Sequence, residues 1–279
     1  MKLSIITINF NNRDGLRKTI ESVVNQTWQE FEYIIIDGGS TDGSVEVIKE
    51  YADRIDYWVS EPDKGIYNAM NKGIDRAKGE YCLFMNSGDC IYQPTMLEIV
   101  HTELDGYDVI CGEVVRDFDA TKKLNSAPHT ISMAYLYNHT LPHQATFIRN
   151  DILHKFHYDE AYKIVSDWKF FIVALVINNG SYQRIPNIIA NYDTTGISST
   201  NTTLLHIETE TILKQLIPER ILIDYHTMLL GEKYEDKLYI AIKTHRFHKI
   251  FYALNLAIVK IYSLFNKKTK WVKEYPFNI

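Results

Sequence analysis

Short apolar segments alternate with helical ones over the first 112 residues, and no other feature constrains the fold as strongly. In the segment at residues 31–36, nearly every residue is apolar. Such a run is typical of a strand that is buried on both faces, as the strands of parallel sheets are. The segment at residues 13–25 places Leu16, Ile20 and Val23 on one face of a helix. Strand and helix in alternation predict a doubly wound α/β domain with a mostly parallel sheet and flanking helices.

The predicted elements divide the chain into a regular first part and a less regular second part. Strands are predicted at residues 3–8, 31–36, 55–59, 81–85 and 109–112, and helices at 13–25, 44–51, 67–76 and 95–104. Beyond them we expect strands at 143–148 and 182–190, a helix at 168–177, a loop at 191–203 and helices from about 204. These boundaries predict a domain over residues 1–205, with halves 1–112 and 113–205, and a helical extension over 206–279.

Polar side chains follow four of the predicted strands. Asn9 follows the first strand, Asp37 the second and Asp63 comes shortly after the third, while Asn86 and Asp89 follow the fourth. In doubly wound folds, ligands bind at the edge of the sheet where the strands end. Four polar clusters at one edge therefore predict a pocket there.

Asp89 is the candidate metal ligand, but the residues alone leave two interpretations open. Mg²⁺ and Mn²⁺ prefer oxygen ligands, and they often take one or two carboxylates while substrate phosphates and water complete the shell. However, the sequence Asn86-Ser87-Gly88-Asp89 also has the composition of an ordinary turn.

The other candidates also have an ordinary structural explanation. Asp37 can accept a hydrogen bond from a ligand N–H, and Asp63 can contact ribose or phosphate, but both lie in sequences typical of turns and loops. Asp167, just before an apolar helix, is either a helix N-cap or a general base. His143 is a ligand, an acceptor contact or a structural histidine.

Motifs of several other enzyme classes are missing from the sequence. There is no GxxxxGK[ST] phosphate loop, no GxGxxG after the first strand and no GxSxG elbow. Their absence argues against an ATPase, a nicotinamide dehydrogenase and an α/β-hydrolase. The three cysteines have no paired spacing, and the first residues are typical of a strand, not a signal peptide, which favours a reducing, cytoplasmic location.

Several stretches together resemble the family 2 glycosyltransferases of the GT-A fold. These are "SIITINFNN", "YIIIDGGSTDGS" and "SEPDKGIYNAMNKGIDRAKGEYCLFMNSGD", which cover roughly the first hundred residues. Weaker echoes, "PHQATFIR", "SDWKFF" and "TTGISS", are similar to members that build bacterial surface polysaccharides. In that family the first half of the domain binds the donor and the second half the acceptor.

The resemblance implies a role for each matching position. Asp37 would contact the nucleobase of a nucleotide-sugar, Asp63 would help to hold the donor, and Asp167 would be the catalytic base. Asp89 would bind Mg²⁺ or Mn²⁺, although Asn86 stands where members often have an acid. The remaining donor-binding candidates are Asn9, Phe10, Asn86 and Ser87. The candidates near the acceptor or the diphosphate are His143, Gln144, Gly196 and Ser198.

The reaction implied is a single displacement, with inversion, from a UDP-linked sugar to a glycan or lipid-linked glycan. Two alternatives stay open: a nucleotidyltransferase with a similar α/β fold, and an inactive protein that binds a nucleotide-sugar. A nucleotidyltransferase is expected to have a Gly-rich basic loop after the first strand, whereas residues 11–15 read Asn-Asn-Arg-Asp-Gly.

The end of the chain is basic, whereas the rest is acidic. The last 39 residues contain eight Lys and Arg against one acid, leaving 22 basic and 34 acidic residues before them. Apolar residues recur at helical spacing between the lysines of residues 243–273. This pattern fits a helix lying on the inner face of the plasma membrane, and it equally fits a helix packed on the domain or on a partner in a homodimer. The acidic body argues against nucleic acid as a partner.

Overall fold

The computed structural model describes residues 1–118, 121–193, 201–227 and 258. The chain divides into two compact units, Met1–Leu216 and Ile217–Ile279. The first unit contains one nine-stranded sheet with helices packed against it. The predicted division at residue 205 stays a prediction.

The strands of the sheet come from the whole length of the first unit. They are β1 (Leu3–Asn9), β2 (Phe31–Asp37), β3 (Tyr57–Ser60), β4 (Tyr81–Phe84), β5 (Cys90–Ile91), β6 (Val109–Phe118), β7 (Thr121–Asn125), β8 (Thr146–Arg149) and β9 (Tyr182–Tyr192). Their order in the sheet is β3-β2-β1-β4-β8-β6-β9-β5, and β7 pairs with β6.

The helices of the first unit connect and cover these strands. They are α1 (Arg13–Val24), α2 (Ser44–Glu50), α3 (Ile66–Arg76), α4 (Met96–Val100), α5 (Met133–Asn138), α6 (Asn150–Phe156), α7 (Ser166–Phe171) and α8 (Thr202–Leu216). Short 3-10 turns lie at Ala52–Arg54, His101–Glu103 and His143–Ala145, and α7 continues as a π-helix over Ile172–Ile177.

The four strands β3, β2, β1 and β4 are parallel, as the alternating pattern predicts. Strand β2 is apolar on both faces because each face is covered. Tyr33 and Ile35 belong to one core cluster, whereas Ile36 lies on the opposite face, towards α3. On that face α3 packs closely, because a Cβ at Gly73 would lie 2.5 Å from Ile6.

The second half of the sheet departs from the predicted parallel order. Strand β8 is inserted antiparallel between β4 and β6, so the fifth predicted strand does not pair with the fourth. Two antiparallel steps restore the direction of β4, and β9 is parallel to β6. The carboxyl ends of β6 and β9 therefore lie at the same edge of the sheet as those of β1 and β4.

Some predicted boundaries are wrong in detail. The helix expected at 95–104 is split, because α4 ends at Val100 and a 3-10 turn follows. The strand expected at 143–148 begins with a 3-10 turn. Strand β9 continues through Tyr192, into the segment predicted as a loop.

The second unit is described over residues 217–227 and at residue 258. Residues 219–227 are helical, in agreement with the prediction for this part of the chain. The basic segment at 243–273 lies outside the described residues, apart from residue 258. In the part of the chain that the structure describes, no helix combines the length and the apolar character needed to cross a bilayer.

Candidate active site

A cavity of about 710 Å³ lies at the edge of the sheet where β1, β4, β6 and β9 end. Its lining brings together most of the side chains that were predicted from the sequence: Asn9, Phe10, Asp63, Asn86, Ser87, Asp89, His143, Gln144 and Asp167. Asp37 is fully buried and is not part of the lining. Gly196 and Ser198 lie outside the described residues.

Asp37 is held at the end of β2 by a closed hydrogen-bond network. Asn9 lies opposite it in the sheet and donates to Oδ1 at 2.7 Å. Ser40 donates through its hydroxyl and its backbone N–H, and Ser60 donates its hydroxyl at 2.6 Å. Burial alone would raise the pKa of Asp37, but these donors outweigh burial and lower the pKa below its ordinary value. A carboxylate with this many protein donors fixes the loop that follows β2.

That loop brings Phe10 and Asp63 together at the mouth of the cavity. Gly38 has no side chain, and a Cβ there would lie 2.4 Å from the Asp63 carboxylate and 3.2 Å from the Phe10 ring. The Phe10 side chain is 64% exposed, although it is large and apolar. An exposed aromatic ring at a cavity mouth offers a flat face on which a planar ligand group can stack.

The segment Asn86-Ser87-Gly88-Asp89 is a turn, and it also carries a buried carboxylate. The Asp89 N–H donates to the Asn86 carbonyl at 2.9 Å, and Gly88 has a φ of 107°. Thr19 of α1 supports the turn from below: its hydroxyl donates to the Asp89 carbonyl at 2.7 Å and accepts from the Gly88 N–H at 3.0 Å. The two interpretations of this segment are therefore compatible.

The Asp89 side chain is only 5% exposed. Burial raises its pKa to about 6, although the charge of His143 and a hydrogen bond from the Asp193 backbone N–H oppose this shift. The nearby charge of Asp193 acts in the same direction as burial. A turn of purely structural importance does not need a carboxylate at a position where ionisation is costly.

Asp167 is not the N-cap of its helix, contrary to one interpretation of the sequence. The cap residue of α7 is Val165, and Asp167 lies inside the first turn. Its Oδ1 lies 2.8 Å from the Tyr67 hydroxyl, whose single hydrogen is shared with the Ile164 carbonyl at 2.6 Å, and its Oδ2 lies 3.6 Å from Nδ1 of His143. The Asp167 carboxylate is thus held in place by side chains from distant parts of the chain.

His143 connects Asp167 to the Asn86–Asp89 turn. Its Nε2 lies 3.0 Å from the Asn86 side-chain amide. Burial lowers the pKa of His143, but the hydrogen bond and charge of Asp167, together with the charge of Asp89, outweigh burial and raise it above the ordinary value. The polar atom of the Asn86 amide that points away from the imidazole is Oδ1 in the structure, and it has no hydrogen-bond partner among the described residues. If the amide were turned over, its nitrogen would take this unpartnered position.

The charges that line the cavity favour a bound divalent cation. Four carboxylates line it, those of Asp63, Asp89, Asp167 and Asp193, against Arg116, Lys163 and two histidines, His139 and His143. Asp89 and the unpartnered Oδ1 of Asn86, in the amide orientation of the structure, are oxygen donors of the kind that Mg²⁺ and Mn²⁺ prefer. In the described part of the chain, Asp89 does not belong to any group of three His, Cys, Asp or Glu side chains placed to hold an ion. These residues fit a site that a ligand's own oxygens complete.

The structure adds residues that the sequence did not single out. Asp193 follows β9 immediately, but the sequence predicts a loop there, which hides it. Arg116 lies opposite Tyr192 in the pairing of β6 with β9, and its guanidinium stacks on that ring at 5.0 Å. Its buried Nε has no hydrogen-bond partner among the described residues. Tyr67 is the third addition. Its place on a helix gave no signal of its distant partner.

Comparison with known proteins identifies the family. The model of glycosyl transferase family 2 matches residues 4–162, more than half of the chain. An uncharacterized glycosyltransferase of Mycobacterium tuberculosis is 32% identical over 203 residues, which cover 71% of this chain and 77% of the relative. A PGL/p-HBAD biosynthesis glycosyltransferase of Mycobacterium bovis is 28% identical, and the aligned region covers 61% of this chain and 68% of the relative.

Solved structures share the fold at low sequence identity. S. aureus TarS 1–349 in complex with UDP-GlcNAc aligns with a TM-score of 0.59 and 17% identity, covering 72% of this chain and 61% of that one. The mannosyltransferase PcManGT of Pyrobaculum calidifontis, in complex with GDP-Man and Mn²⁺, aligns with a TM-score of 0.56 and 12% identity, covering 71% and 58%. The chain thus spans less than two thirds of each of these solved chains.

The family match decides between the enzyme classes that the residues alone left open, and it does not support a nucleotidyltransferase. The structural neighbours agree with a sheet that is mostly parallel and flanked by helices. The chain belongs to glycosyl transferase family 2, and it is a glycosyltransferase with the GT-A fold.

Proposed function

We propose that this protein transfers a sugar from a nucleotide-diphosphate sugar to a glycan or lipid-linked glycan, with inversion at the anomeric carbon. One observation carries the proposal: Asp89 and Asp167 face the same cavity, and the charges of both act on His143. Asp89 is buried and costly to ionise, whereas Asp167 is held by a phenol and an imidazole. Two carboxylates in such different environments suit two different tasks.

The donor nucleotide is assigned to the side of the cavity formed by the loops after β1 and β2. Phe10 offers its exposed ring for stacking on a nucleobase, and Asp63 lies beside it to accept from the base or the ribose. Asn9 and the buried Asp37 support this platform from beneath. The TarS complex contains UDP-GlcNAc and the PcManGT complex contains GDP-Man, and a UDP-linked donor is our choice for this chain.

The diphosphate is assigned to the Asn86–Asp89 turn. A dianionic group would be repelled by the four carboxylates of the cavity unless positive charge accompanied it. When bound at Asp89, Mg²⁺ or Mn²⁺ would supply Lewis-acid stabilisation of the charge that develops on the leaving diphosphate. Asn86, Ser87 and Asp193 surround this position, and Arg116 brings a guanidinium suited to phosphate oxygens.

Asp167 is assigned as the general base. It would take the proton from an acceptor hydroxyl as that oxygen forms a bond to the anomeric carbon, while the bond from this carbon to the diphosphate oxygen breaks. Tyr67 and His143 hold the carboxylate in a fixed orientation, which limits the number of arrangements that the reacting atoms can adopt. Gln144 also lines the cavity, and it stays a candidate for contacting the acceptor or the diphosphate, as do Gly196 and Ser198, which lie outside the described residues.

The acceptor class rests on the relatives. They include a cholesterol galactosyltransferase of Borreliella burgdorferi, which is 34% identical over 116 residues. If the acceptor is lipid-linked, we expect the basic segment at 243–273 to bind the cytoplasmic surface of the membrane that carries it. The composition of this segment is equally compatible with binding to a partner protein that carries the acceptor, or to a second copy of the chain.

The experiment that tests the proposal is product analysis by proton NMR. The protein is incubated with α-linked UDP-sugars, Mn²⁺ and a panel of glycan and lipid-linked acceptors, and the anomeric coupling of the new linkage is measured. We expect a β-linked product that disappears in Asp167→Asn. A product with retained configuration, or full turnover by Asp167→Asn, would contradict the mechanism.

A further inference from the structure

A second cluster of metal-binding side chains lies outside the cavity. Asp75 lies in the last turn of α3, His154 lies in the last turn of α6, and His157 follows α6 as its cap residue. Each offers one ligand atom, and the three atoms all lie within 4.8 Å of one another. None of the three lines the active-site cavity.

The hydrogen bonds of His157 leave a site for a cation. Its Nδ1 lies 3.1 Å from the His154 carbonyl oxygen, and its Nε2 lies 3.0 Å from Oδ1 of Asp75. Both partners are acceptors, but a neutral imidazole has one N–H. If Nδ1 donates to the carbonyl, the lone pair of Nε2 faces the carboxylate, and either a second ring proton or a bound cation satisfies that contact. A backbone carbonyl on one ring nitrogen is also the usual arrangement for a histidine that binds a metal through the other.

The framework around these side chains is rigid. Asn71 lies one turn before Asp75 on α3, and its amide exchanges two hydrogen bonds with the backbone of Tyr158, at 2.8 and 2.9 Å. The residue next to His157 is therefore tied to the helix that carries Asp75. His157 itself has a φ of 40°, in the left-handed region that residues other than glycine seldom occupy. The backbone thus turns the imidazole towards Asp75 instead of following the helix.

We propose that Asp75, His154 and His157 bind a divalent transition-metal ion of the zinc class and that this ion joins α3 to α6. Two imidazoles and one carboxylate are ligands that suit Zn²⁺, with a water molecule in the fourth position. Mg²⁺ and Mn²⁺ favour oxygen ligands, so the two imidazoles select against the ions expected at Asp89. Ligands about 2.1 Å from zinc lie roughly 3.4 Å apart in a tetrahedral shell. Small rotations of the exposed Asp75 and His154 side chains and of the half-buried His157 would give that spacing.

The test is calorimetric titration of Zn²⁺ into the full chain, without an affinity tag and after removal of metal ions, in buffer containing saturating Mg²⁺. We expect one equivalent to bind and to raise the melting temperature. His154→Ala and His157→Asn should each weaken Zn²⁺ binding at least about 10-fold. Asparagine is chosen at position 157 because it tolerates the left-handed backbone conformation.

Two matched variants control for binding elsewhere. His206→Ala removes another exposed histidine, and Asp89→Asn disables the proposed active-site ligand; both should bind Zn²⁺ as the parent protein does. If His154→Ala and His157→Asn bind Zn²⁺ with unchanged affinity while remaining folded by circular dichroism, the proposal is wrong. The proposal does not depend on the assigned transfer reaction, because no residue of this cluster takes part in it.

Discussion

At the scale of single residues, the two carboxylates of the cavity differ in how the protein treats their charge. The Tyr67 hydroxyl and the His143 imidazole lie next to the Asp167 carboxylate. The Asp89 carboxylate, in contrast, is buried near the charge of Asp193 and accepts few hydrogen bonds. Burial of an uncompensated carboxylate reduces the free energy of unfolding. A protein that keeps such a group at neutral pH is expected to use its charge, and a bound cation is the use that we assign.

Because ionisation of the buried Asp89 carboxyl group costs free energy, the stability of the protein should depend on pH. Because its pKa is raised to about 6 from an ordinary value of 3.8, the folded protein holds this proton more tightly than the unfolded chain does. The free energy of unfolding therefore falls as pH rises from about 4 to about 6, and Asp89 causes no further fall above that range. At pH 8 without divalent ions, Asp89→Asn should be more stable than the parent by at most about 3 kcal/mol.

Urea denaturation of both proteins at pH 8 and near pH 4 measures this difference. The amide keeps an acceptor for the Asp193 N–H, so the substitution isolates the effect of the charge. The advantage of Asp89→Asn should vanish at the lower pH. Equal stability of the two proteins at pH 8 would show that the Asp89 carboxylate is already compensated within the fold.

Phe10 is predicted to contribute to nucleotide binding without contributing to stability. Its side chain is 64% exposed, so Phe10→Ala should leave the melting temperature unchanged. Loss of a stacked ring should weaken UDP binding roughly 10-fold, since stacking of a base on an aromatic side chain contributes about 1–3 kcal/mol. Calorimetry with UDP in the presence of Mn²⁺ measures this. Unchanged affinity would remove Phe10 from the nucleobase site.

Tyr67 is predicted to act through Asp167. Tyr67→Phe removes the hydroxyl whose hydrogen Oδ1 of Asp167, at 2.8 Å, shares with the Ile164 carbonyl, so we expect kcat to fall by at most about 10-fold, the effect of losing a hydrogen bond of about 1–1.5 kcal/mol. The affinity for UDP should not change. Tyr162→Phe is the matched control, because that hydroxyl contacts Gln215 at the surface. A fall in UDP affinity with unchanged kcat would argue against this positioning role.

At the scale of elements, helix α1 and the turn after β4 form one unit. Thr19 is fully buried, accepts from the Gly88 N–H and donates to the Asp89 carbonyl. Thr19→Val keeps the shape of the side chain but leaves the Gly88 N–H without its partner. We expect a loss of about 2 kcal/mol in the free energy of unfolding and weaker Mn²⁺-dependent UDP binding.

Thr211→Val provides the comparison for Thr19→Val, because Thr211 is exposed and bonds within its own helix. It should change neither the unfolding free energy nor UDP binding. If Thr19→Val proves as stable as Thr211→Val, the turn does not depend on α1 for its position.

The sequence predicted elements well where local pattern decides them and poorly where distant contacts decide. The run at residues 31–36 is apolar because both faces of β2 are covered, and this burial can be read directly from the residues. Insertion of β8 between β4 and β6 depends on pairing between residues more than 60 apart, for which no local signal exists. Tyr67 and Asp167 are 100 residues apart, and the amphipathic pattern of α3 shows only that Tyr67 is buried.

At the scale of the whole molecule, we propose that the acidic domain and the basic end of the chain have different tasks. We expect the domain to hold the donor and the segment at 243–273 to meet an anionic membrane surface. That segment lies outside the described residues, apart from residue 258, so its role stays a prediction. Flotation with anionic liposomes, comparing the full chain with a chain ending at residue 240, measures it; equal binding would contradict a membrane role.

We propose that Asp89 holds a divalent ion which admits the donor diphosphate, and that Asp167 acts later, on the acceptor. Calorimetric titration of UDP with and without Mn²⁺ tests it in the parent protein, Asp89→Asn and Asp167→Asn. We expect Mn²⁺ to strengthen UDP binding strongly in the parent and in Asp167→Asn, and hardly at all in Asp89→Asn. Mn²⁺-dependent UDP binding that survives in Asp89→Asn would contradict the account.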